Sequence, residues 1–188
     1  MGMPALATDW TAEKARALPD DGNRYEVVDG ELLVTPAPAF GHQSVIGELF
    51  LSLSEYLRPR GFAHVLMSPA DVELDPRTLV QPDLFVFPIG AHISIRDWRD
   101  IRGLLLAVEV LSPSTARYDR HVKRRRYQRE GVPEYWIADS DARLFERWRP
   151  EDERPEILSE QLVWLPPGAD EPMQLDVPEL FATALKWV

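Results

Sequence analysis

The sequence predicts an α/β (α+β) fold in which helices flank a mixed central sheet. Two short apolar runs, 83–87 and 104–111, are typical of strands that are buried on both faces. Helical periodicity marks residues 42–57, before these runs, and residues 119–130, after them. Because helices and strands interleave along the chain, we expect the strands to share one sheet that the helices cover.

The first third of the chain is predicted to hold a short helix, a hairpin and a long helix. Residues 8–18 are a candidate helix with Thr8 or Asp9 as its N-cap. Residues 25–34 have the pattern of two strands around an Asp-Gly pair, which is favoured in two-residue hairpin turns. Residues 42–57 carry apolar side chains at helical spacing along one stripe, and a Pro and a Gly follow the end of this stripe.

The rest of the chain adds strands and two helices. Residues 62–74 hold one or two strands, because Val72 and Leu74 alternate with acidic residues. The helix at 119–130 is predicted to end where a Gly and a Pro follow it. Further elements are predicted as strands at 134–139, 143–149 and 161–165 and as a closing helix at 177–185.

Composition indicates a globular protein and is compatible with a reducing compartment. The chain has 188 residues, 45% of them hydrophobic, which is enough for one domain with a substantial core. It has no Cys, which excludes disulfides, thiolate metal sites and a Cys nucleophile. The sequence shows no secretory signal and no apolar run long enough to cross a bilayer. We therefore expect a cytoplasmic protein without a membrane partner.

The charge pattern gives two opposing indications about nucleic acid. The net charge of −10 argues against non-specific binding to phosphate backbones. A concentrated basic run nevertheless occupies residues 120–126 and is followed by Arg129, so a local positive surface is compatible with the acidic total. This run is either a solvated helix face or a contact for phosphates, with Arg120, Arg124 and Arg125 as the candidates.

Asp83 and Glu109 are the strongest candidates for a functional site. Glu109 is the only charged residue within 104–111, and ionised carboxylates avoid such surroundings unless they are paired, hydrogen-bonded or bound to a cation. Asp83 opens the other buried run, so neighbouring strands would bring the two acids together. Lys123 lies in the helix that follows the strand of Glu109 and shares a face with Tyr127 at i, i+4.

This arrangement suits metal-dependent cleavage of a phosphodiester bond. Two carboxylates at strand ends are ligands for a hard divalent cation, and we expect Mg²⁺, which Mn²⁺ can replace. The ion would polarise the phosphate and acidify a bound water, while Lys123 would orient that water or stabilise charge on the phosphate oxygens. The sequence therefore predicts a nuclease site at Asp83, Glu109 and Lys123.

Several motifs in this order resemble the PD-(D/E)XK nuclease superfamily, and within it the Uma-type family of restriction endonucleases. The resemblance runs from Tyr25 to Asp139. Its motifs are residues 25–32, His42, residues 81–84, residues 108–115, Lys123 with Tyr127, and residues 131–136. It implies a restriction-endonuclease-like fold for a single domain of residues 1–188, with a nuclease-like core at residues 20–140 and C-terminal strands and a helix at residues 141–188.

The resemblance also implies residue roles, with one departure from the superfamily pattern. The pattern expects its Lys two residues after the acid, but Leu111 stands there, so Lys123 is implied to supply the ammonium from the following helix. Glu31 is implied as an auxiliary ligand of the metal or its water, and His42 and Tyr127 as supporting residues. The implied substrate is DNA, and a homodimer would supply two sites for cutting both strands.

Each candidate also has a purely structural interpretation. Asp83 could be a turn acid at a strand start, Glu109 a buried acid paired with an Arg, and Lys123 one more cation of a basic helix. Glu31 could be an exposed hairpin residue, and His42 a local structural residue at a helix start.

Two other functions remain open from the sequence. A nuclease fold that is catalytically weak or silent could act as an oligomeric or partner-binding module, which the acidic charge and Leu111 would explain. A glycosidase with two carboxylates would need a sugar cleft, and an acid within an apolar strand beside a basic helix suits phosphate better. Ser112 and Ser114 lack a His or Asp partner at a recognisable spacing, so we expect them to make loop or cap hydrogen bonds.

Overall fold

A computed structural model describes residues 9–90, 95–101 and 103–188 of the chain. The elements follow in chain order as α1 (Ala12–Arg16), β1 (Arg24–Val28), β2 (Glu31–Thr35), α2 (Phe40–Leu57), β3 (Ala63–Met67), β4 (Val72–Asp75), β5 (Thr78–Val80), β6 (Leu84–Pro88), β7 (Leu106–Val110), α3 (Ala116–Tyr118), α4 (Arg124–Arg129), β8 (Glu134–Asp139), β9 (Leu144–Trp148), β10 (Glu156–Leu158), β11 (Gln161–Trp164), β12 (Met173–Asp176) and α5 (Val177–Ala184). A 3-10 helix (Trp98–Asp100) precedes β7, and a π-helix (Asp119–Lys123) joins α3 to α4. Within these ranges, no helix combines the length and the apolar character that a membrane span needs.

The largest sheet has the strand order β10-β9-β8-β7-β6-β3 and is mixed. β7 and β8 run parallel, whereas the other neighbouring strands run antiparallel. All five residues of β7 are buried, as expected for an apolar run in the middle of a sheet. A mixed central sheet with flanking helices confirms the predicted fold class.

Two hydrophobic cores lie on opposite faces of this sheet. Alternation along β7 sends Val108 into one core and Ala107 into the other. The first core is closed by α2, α5 and the β11–β12 ribbon, the last two through Phe181 and Trp164. The second core is closed by α4 and by a four-stranded sheet with the order β2-β1-β5-β4. Glu109 alternates in step with Ala107, so its side chain faces the layer that contains α4.

The predicted elements are present with shifted ends, and the structure contains some strands that the prediction omits. Thr11 caps α1 by accepting the Lys14 N–H at 3.2 Å, so the predicted cap at Asp9 is wrong, and Thr8 lies outside the described residues. The predicted helix at 119–130 begins three residues earlier, at Ala116, and includes the π-helix. The prediction omits β5, β10 and β12, which have only three or four residues each.

Candidate active site

The register between β6 and β7 brings Asp83 and Glu109 together. These strands pair antiparallel with Leu84 opposite Val108, so the residue before Leu84 lies beside the residue after Val108. The Val110 N–H donates to Asp83 Oδ2 at 2.9 Å, which ties this acid to the end of β7. Both acids are buried, Asp83 at 2% and Glu109 at 3% exposure. The start of β6 and the end of β7 therefore place two carboxylates side by side at one end of the central sheet.

Lys123 reaches this point from the π-helix. Its Nζ lies 2.9 Å from Glu109 Oε1, 2.8 Å from Glu26 Oε1 and 3.7 Å from Asp119 Oδ1. Burial lowers the pKa of Lys123, but the three acids outweigh burial and raise the pKa well above its usual value. The π-helix is marked by the Arg124 N–H, which donates to the Asp119 carbonyl five residues earlier. Such turns inside helices are frequent at functional sites.

Glu26 is a member of the site to which the sequence gives no role. It lies in β1, and its Oε1 accepts the Gln81 N–H at 2.7 Å as well as the ammonium of Lys123. Because side chains alternate along a strand, Arg24 and Glu26 face the same side of β1. A charged residue inside a predicted strand is the signal that could have identified Glu26, and it is the signal that identified Glu109.

Asp83 has two further partners, which come from β1 and α2. Arg24 Nη1 donates to Asp83 Oδ1 at 2.6 Å, and His42 Nε2 lies 3.1 Å from Asp83 Oδ2. Burial raises the pKa of Asp83, but the hydrogen bonds and charges of His42 and Arg24 outweigh burial and hold the pKa below its usual value. His42 sits in the first turn of α2, and its buried Nδ1 makes no hydrogen bond within the described residues.

Tyr127 and Tyr135 close the inner side of the site. The Tyr127 hydroxyl lies 3.5 Å from Glu109 Oε1, and the centroids of the two rings are 4.9 Å apart. Burial raises the pKa of Tyr127 well above its usual value, so this hydroxyl stays protonated and can act as a donor to Glu109. Both aromatic rings are fully buried, and they separate the acids from the core behind them.

The site opens into a cavity of about 220 Å³. Its lining includes four buried acids and two cations, namely Glu26, Asp83, Glu109, Asp119, Arg24 and Lys123. The lining thus carries four acidic side chains against two basic ones, with His42 beside them. The other walls are the segment from Thr35 to Ala39, which precedes α2, and the loop from Ser112 to Thr115.

Burial disfavours the ionised form of two of the acids, Glu109 and Asp119. It raises the pKa of Glu109 well above the usual value, and the neighbouring acids add to this rise although Lys123 opposes it. Burial also raises the pKa of Asp119 to about 6, against a smaller opposite effect of Lys123. Neither carboxylate oxygen of Asp119 makes a hydrogen bond of normal geometry within the described residues. The acids therefore need more positive charge than Lys123 and Arg24 supply.

The structure does not bring every predicted residue to the cavity. Glu31 pairs with Val28 next to the hairpin turn, so it shares a face with Glu26 but does not line the cavity. Ser112 Oγ lies 3.0 Å from Ser114 Oγ and 2.9 Å from the Thr115 hydroxyl. These contacts are the loop hydrogen bonds that the sequence predicts for the two serines.

Acids elsewhere in the fold neutralise much of the basic run. Arg120 donates to Glu146 at 2.7 Å and to Asp139 at 2.8 Å, so its role is to join the π-helix to β8 and β9. Arg124 stacks on the Trp148 ring, with its guanidinium carbon 4.5 Å from the ring centroid. Arg125 is exposed and makes no ion pair with any residue in the described ranges. Of the three predicted phosphate contacts, Arg125 is therefore the one left free by the fold.

The donor set suits a hard divalent cation, although it is not a preformed cage. In the part of the chain that the structure describes, no three His, Cys, Asp or Glu side chains are grouped so that they could hold a metal ion as they stand. Arg24 pairs with one oxygen of Asp83, and Lys123 pairs with one oxygen of Glu109. The carboxylate oxygens that line the cavity, with those of Asp119 free of hydrogen bonds within the described residues, nevertheless fit Mg²⁺.

Comparisons with known proteins agree with the fold and with the resemblance. Residues 12–184 match the model of the Uma2 family, whose description is "Putative restriction endonuclease". The fold is similar to the crystal structure of a "putative nuclease belonging to DUF820" from Anabaena variabilis ATCC 29413, with a TM-score of 0.77 and 21% identity. The similarity covers 93% of this chain and 99% of the other. No curated protein sequence matches the chain. Because the family model spans most of the sequence, the chain belongs to the Uma2 family of restriction-endonuclease-like proteins.

Proposed function

We propose that this protein is a Mg²⁺-dependent endonuclease that hydrolyses phosphodiester bonds in DNA, with Lys123 in the role of the lysine of a PD-(D/E)XK site. The observation that carries the proposal is the contact of the Lys123 ammonium with Glu109, next to Asp83 on the adjacent strand. Family membership supports a nuclease. Fold similarity alone would not establish the chemistry, because one fold can host many activities.

Asp83 and Glu109 are the residues that would hold the cation, with Glu26 beside them. A divalent cation would offset the repulsion among the acids of the cavity and the cost of ionising Glu109. When bound, it supplies polarisation of the scissile phosphate and a water of lowered pKa. Mn²⁺ is expected to substitute for Mg²⁺, because oxygen ligands accept both ions.

Lys123 would contribute a fixed positive charge where negative charge develops on the phosphate oxygens. Three acids hold its ammonium in place, and its side chain is 3% exposed, so little reorganisation is needed during the reaction. Tyr127 would keep Glu109 oriented through its hydroxyl. His42 would orient Asp83 from the first turn of α2.

DNA is the substrate that the family description favours, since restriction enzymes act on DNA. Arg125, which is exposed and without an ion pair among the described residues, is the cation of the basic run that we expect to contact the backbone. A homodimer would place two such sites on the two strands.

Nicking of supercoiled plasmid in Mg²⁺ tests the proposal. Asp83→Asn and Glu109→Gln should each abolish nicking and Mn²⁺ binding, whereas Glu146→Gln is a matched control. Glu146 is also a buried acid of the central sheet, but it pairs with Arg120 outside the cavity. Nicking that persists in both site variants would refute the assignment. A folded wild-type protein that neither nicks nor binds Mn²⁺ would instead support a silent, partner-binding module.

A further inference from the structure

Arg24 is the second cation of the cavity, and it is held differently from Lys123. Its Nη1 donates to Asp83 Oδ1 at 2.6 Å, and this is its only ion pair within the described ranges. Three acids surround the Lys123 ammonium, whose side chain is 3% exposed, whereas the Arg24 side chain is 18% exposed. Lys123 is therefore fixed from several sides, and Arg24 lies on the open side of Asp83.

The Asp83 carboxylate cannot offer Arg24 a bidentate pair. Asp83 Oδ2 already accepts the Val110 N–H at 2.9 Å and has His42 Nε2 at 3.1 Å. A guanidinium has five N–H donors in a planar fork, and its strongest partners are carboxylates or phosphates that accept two of them. One donor reaches Asp83, and Arg24 is a lining residue of the cavity. Much of its capacity to bind a phosphate is thus unused.

We infer that Arg24 is a displaceable counter-ion, which pairs with Asp83 in the free protein and binds a phosphate oxygen of the DNA backbone once a divalent cation has taken Asp83. The inference rests on the proposed function and adds to it a residue that recognises the substrate. No covalent bond is made or broken in this exchange, because one cation replaces another at the carboxylate.

The charges of the cavity favour this order of events. In the free protein four acidic side chains line the cavity beside Arg24 and Lys123, so it favours a cation over a phosphate. A divalent cation would add positive charge there and compete with Arg24 for Asp83. The guanidinium would then be an unpaired positive group on the wall of a less acidic cavity. DNA affinity should therefore depend on the divalent cation, and Arg24 should carry part of that dependence.

Calorimetric titration with Mn²⁺ tests the displacement without relying on activity. Arg24→Ala should bind Mn²⁺ about tenfold more tightly than the wild type, because the metal no longer competes with a charge-assisted hydrogen bond. Arg16→Ala is the matched control. Arg16 is a similarly exposed arginine, at 22%, that pairs with Asp71 and Glu73, and it does not line the cavity. Its replacement should leave Mn²⁺ affinity unchanged.

The phosphate contact is tested by the salt dependence of DNA binding. Fluorescein-labelled duplex DNA is titrated with protein at several KCl concentrations, once with EDTA and once with Ca²⁺, which also takes oxygen ligands. Arg24→Ala should lower the slope of log affinity against log salt by about one in Ca²⁺ and leave it unchanged in EDTA. Arg24→Lys keeps the charge and should keep the wild-type slope.

The outcomes separate this inference from the proposed function. Weaker or unchanged Mn²⁺ binding by Arg24→Ala, with binding intact in the wild type, would show that Arg24 fixes Asp83 as a structural residue, and the inference alone would fall. A wild-type protein that binds no Mn²⁺ would overturn both. If Arg24→Ala does not fold, Arg24→Gln, which retains a hydrogen-bond donor without the charge, should show the same tighter Mn²⁺ binding and reduced slope.

Discussion

Replacing Asp119 with Asn should stabilise the free protein near neutral pH. Asp119 is 1% exposed, and burial raises its pKa from the ordinary 3.8 to about 6. An acid whose pKa is higher in the folded protein than in the unfolded chain destabilises the fold once it ionises. Asn has nearly the same shape and no charge to bury, so it removes this cost.

The size and the pH window of the effect follow from the two pKa values. Between them the folded protein holds a proton that the unfolded chain has released, so stability falls as the pH rises through this window and is level above it. The interval from 3.8 to about 6 corresponds to about 3 kcal/mol, since each tenfold change in proton affinity is worth about 1.4 kcal/mol. Below the lower value Asp119 is protonated in both states, and the substitution should have little effect.

Urea denaturation of both proteins between about pH 4 and about pH 8, in EDTA, measures this difference. Asp119→Asn should raise the free energy of unfolding by about 2–3 kcal/mol at neutral pH and by much less at the acid end. Asp139→Asn is the control, because Asp139 is paired with Arg120 at 2.8 Å and should lose stability on the same change. Equal stability of Asp119→Asn and the wild type at neutral pH would refute the reasoning, as would a gain of the same size at every pH.

Three further substitutions test other parts of the structure. Lys123→Ala leaves three buried acids without their cation, so urea denaturation should show a loss of about 3–5 kcal/mol. Lys14→Ala, at an exposed position of α1, should change the stability little. Arg120→Ala should lower the melting temperature but not the Mn²⁺ affinity measured by calorimetry, because its acidic partners lie outside the cavity. Arg125→Ala should change stability by less than about 0.5 kcal/mol and lower the salt slope of DNA binding by about one; an unchanged slope would contradict its phosphate contact.

The proximity of Asp83 and Glu109 could be predicted from the sequence because their signal is local. A single acid in an apolar strand has few acceptable surroundings, whatever the rest of the fold is. Antiparallel pairing of β6 and β7 then places the start of one strand beside the end of the other, which the predicted strand positions already allow. The approach of Lys123 to these acids could be predicted for a similar reason, because Lys123 lies in the helical segment that follows β7.

Arg24 and Glu26 are harder to predict because their partners are distant in the sequence. Arg24 lies 59 residues from Asp83, and Glu26 lies 55 residues from Gln81. Their role depends on which face of the hairpin is turned toward the central sheet, and a hairpin motif does not specify this. Glu31 shows the same limit, because it is on the correct face but too close to the turn to reach the cavity.

The basic run shows that a sequence gives the number of charged residues but not which of them form ion pairs. Arg120 finds acids on β8 and β9, and Arg126 finds Asp75 on β4 at 2.6 Å. These acids come from other parts of the chain and meet the run only after folding. A stretch with the charge of a DNA-binding segment is therefore mostly a set of internal ion pairs, and Arg125 is left to face solvent.

The π-helix affects how the chain can tolerate a change in its length. Its backbone hydrogen bond spans five residues, one more than the α-helical hydrogen bonds of α3 and α4. Deleting one residue there would restore regular spacing and leave the flanking segments in nearly the same register, because the wider turn absorbs the extra residue. The deletion would change which side chains of the π-helix reach the cavity, while Tyr127 and the packing of α4 would stay in place. A single codon could thus separate the chemistry of this cavity from the stability of its scaffold.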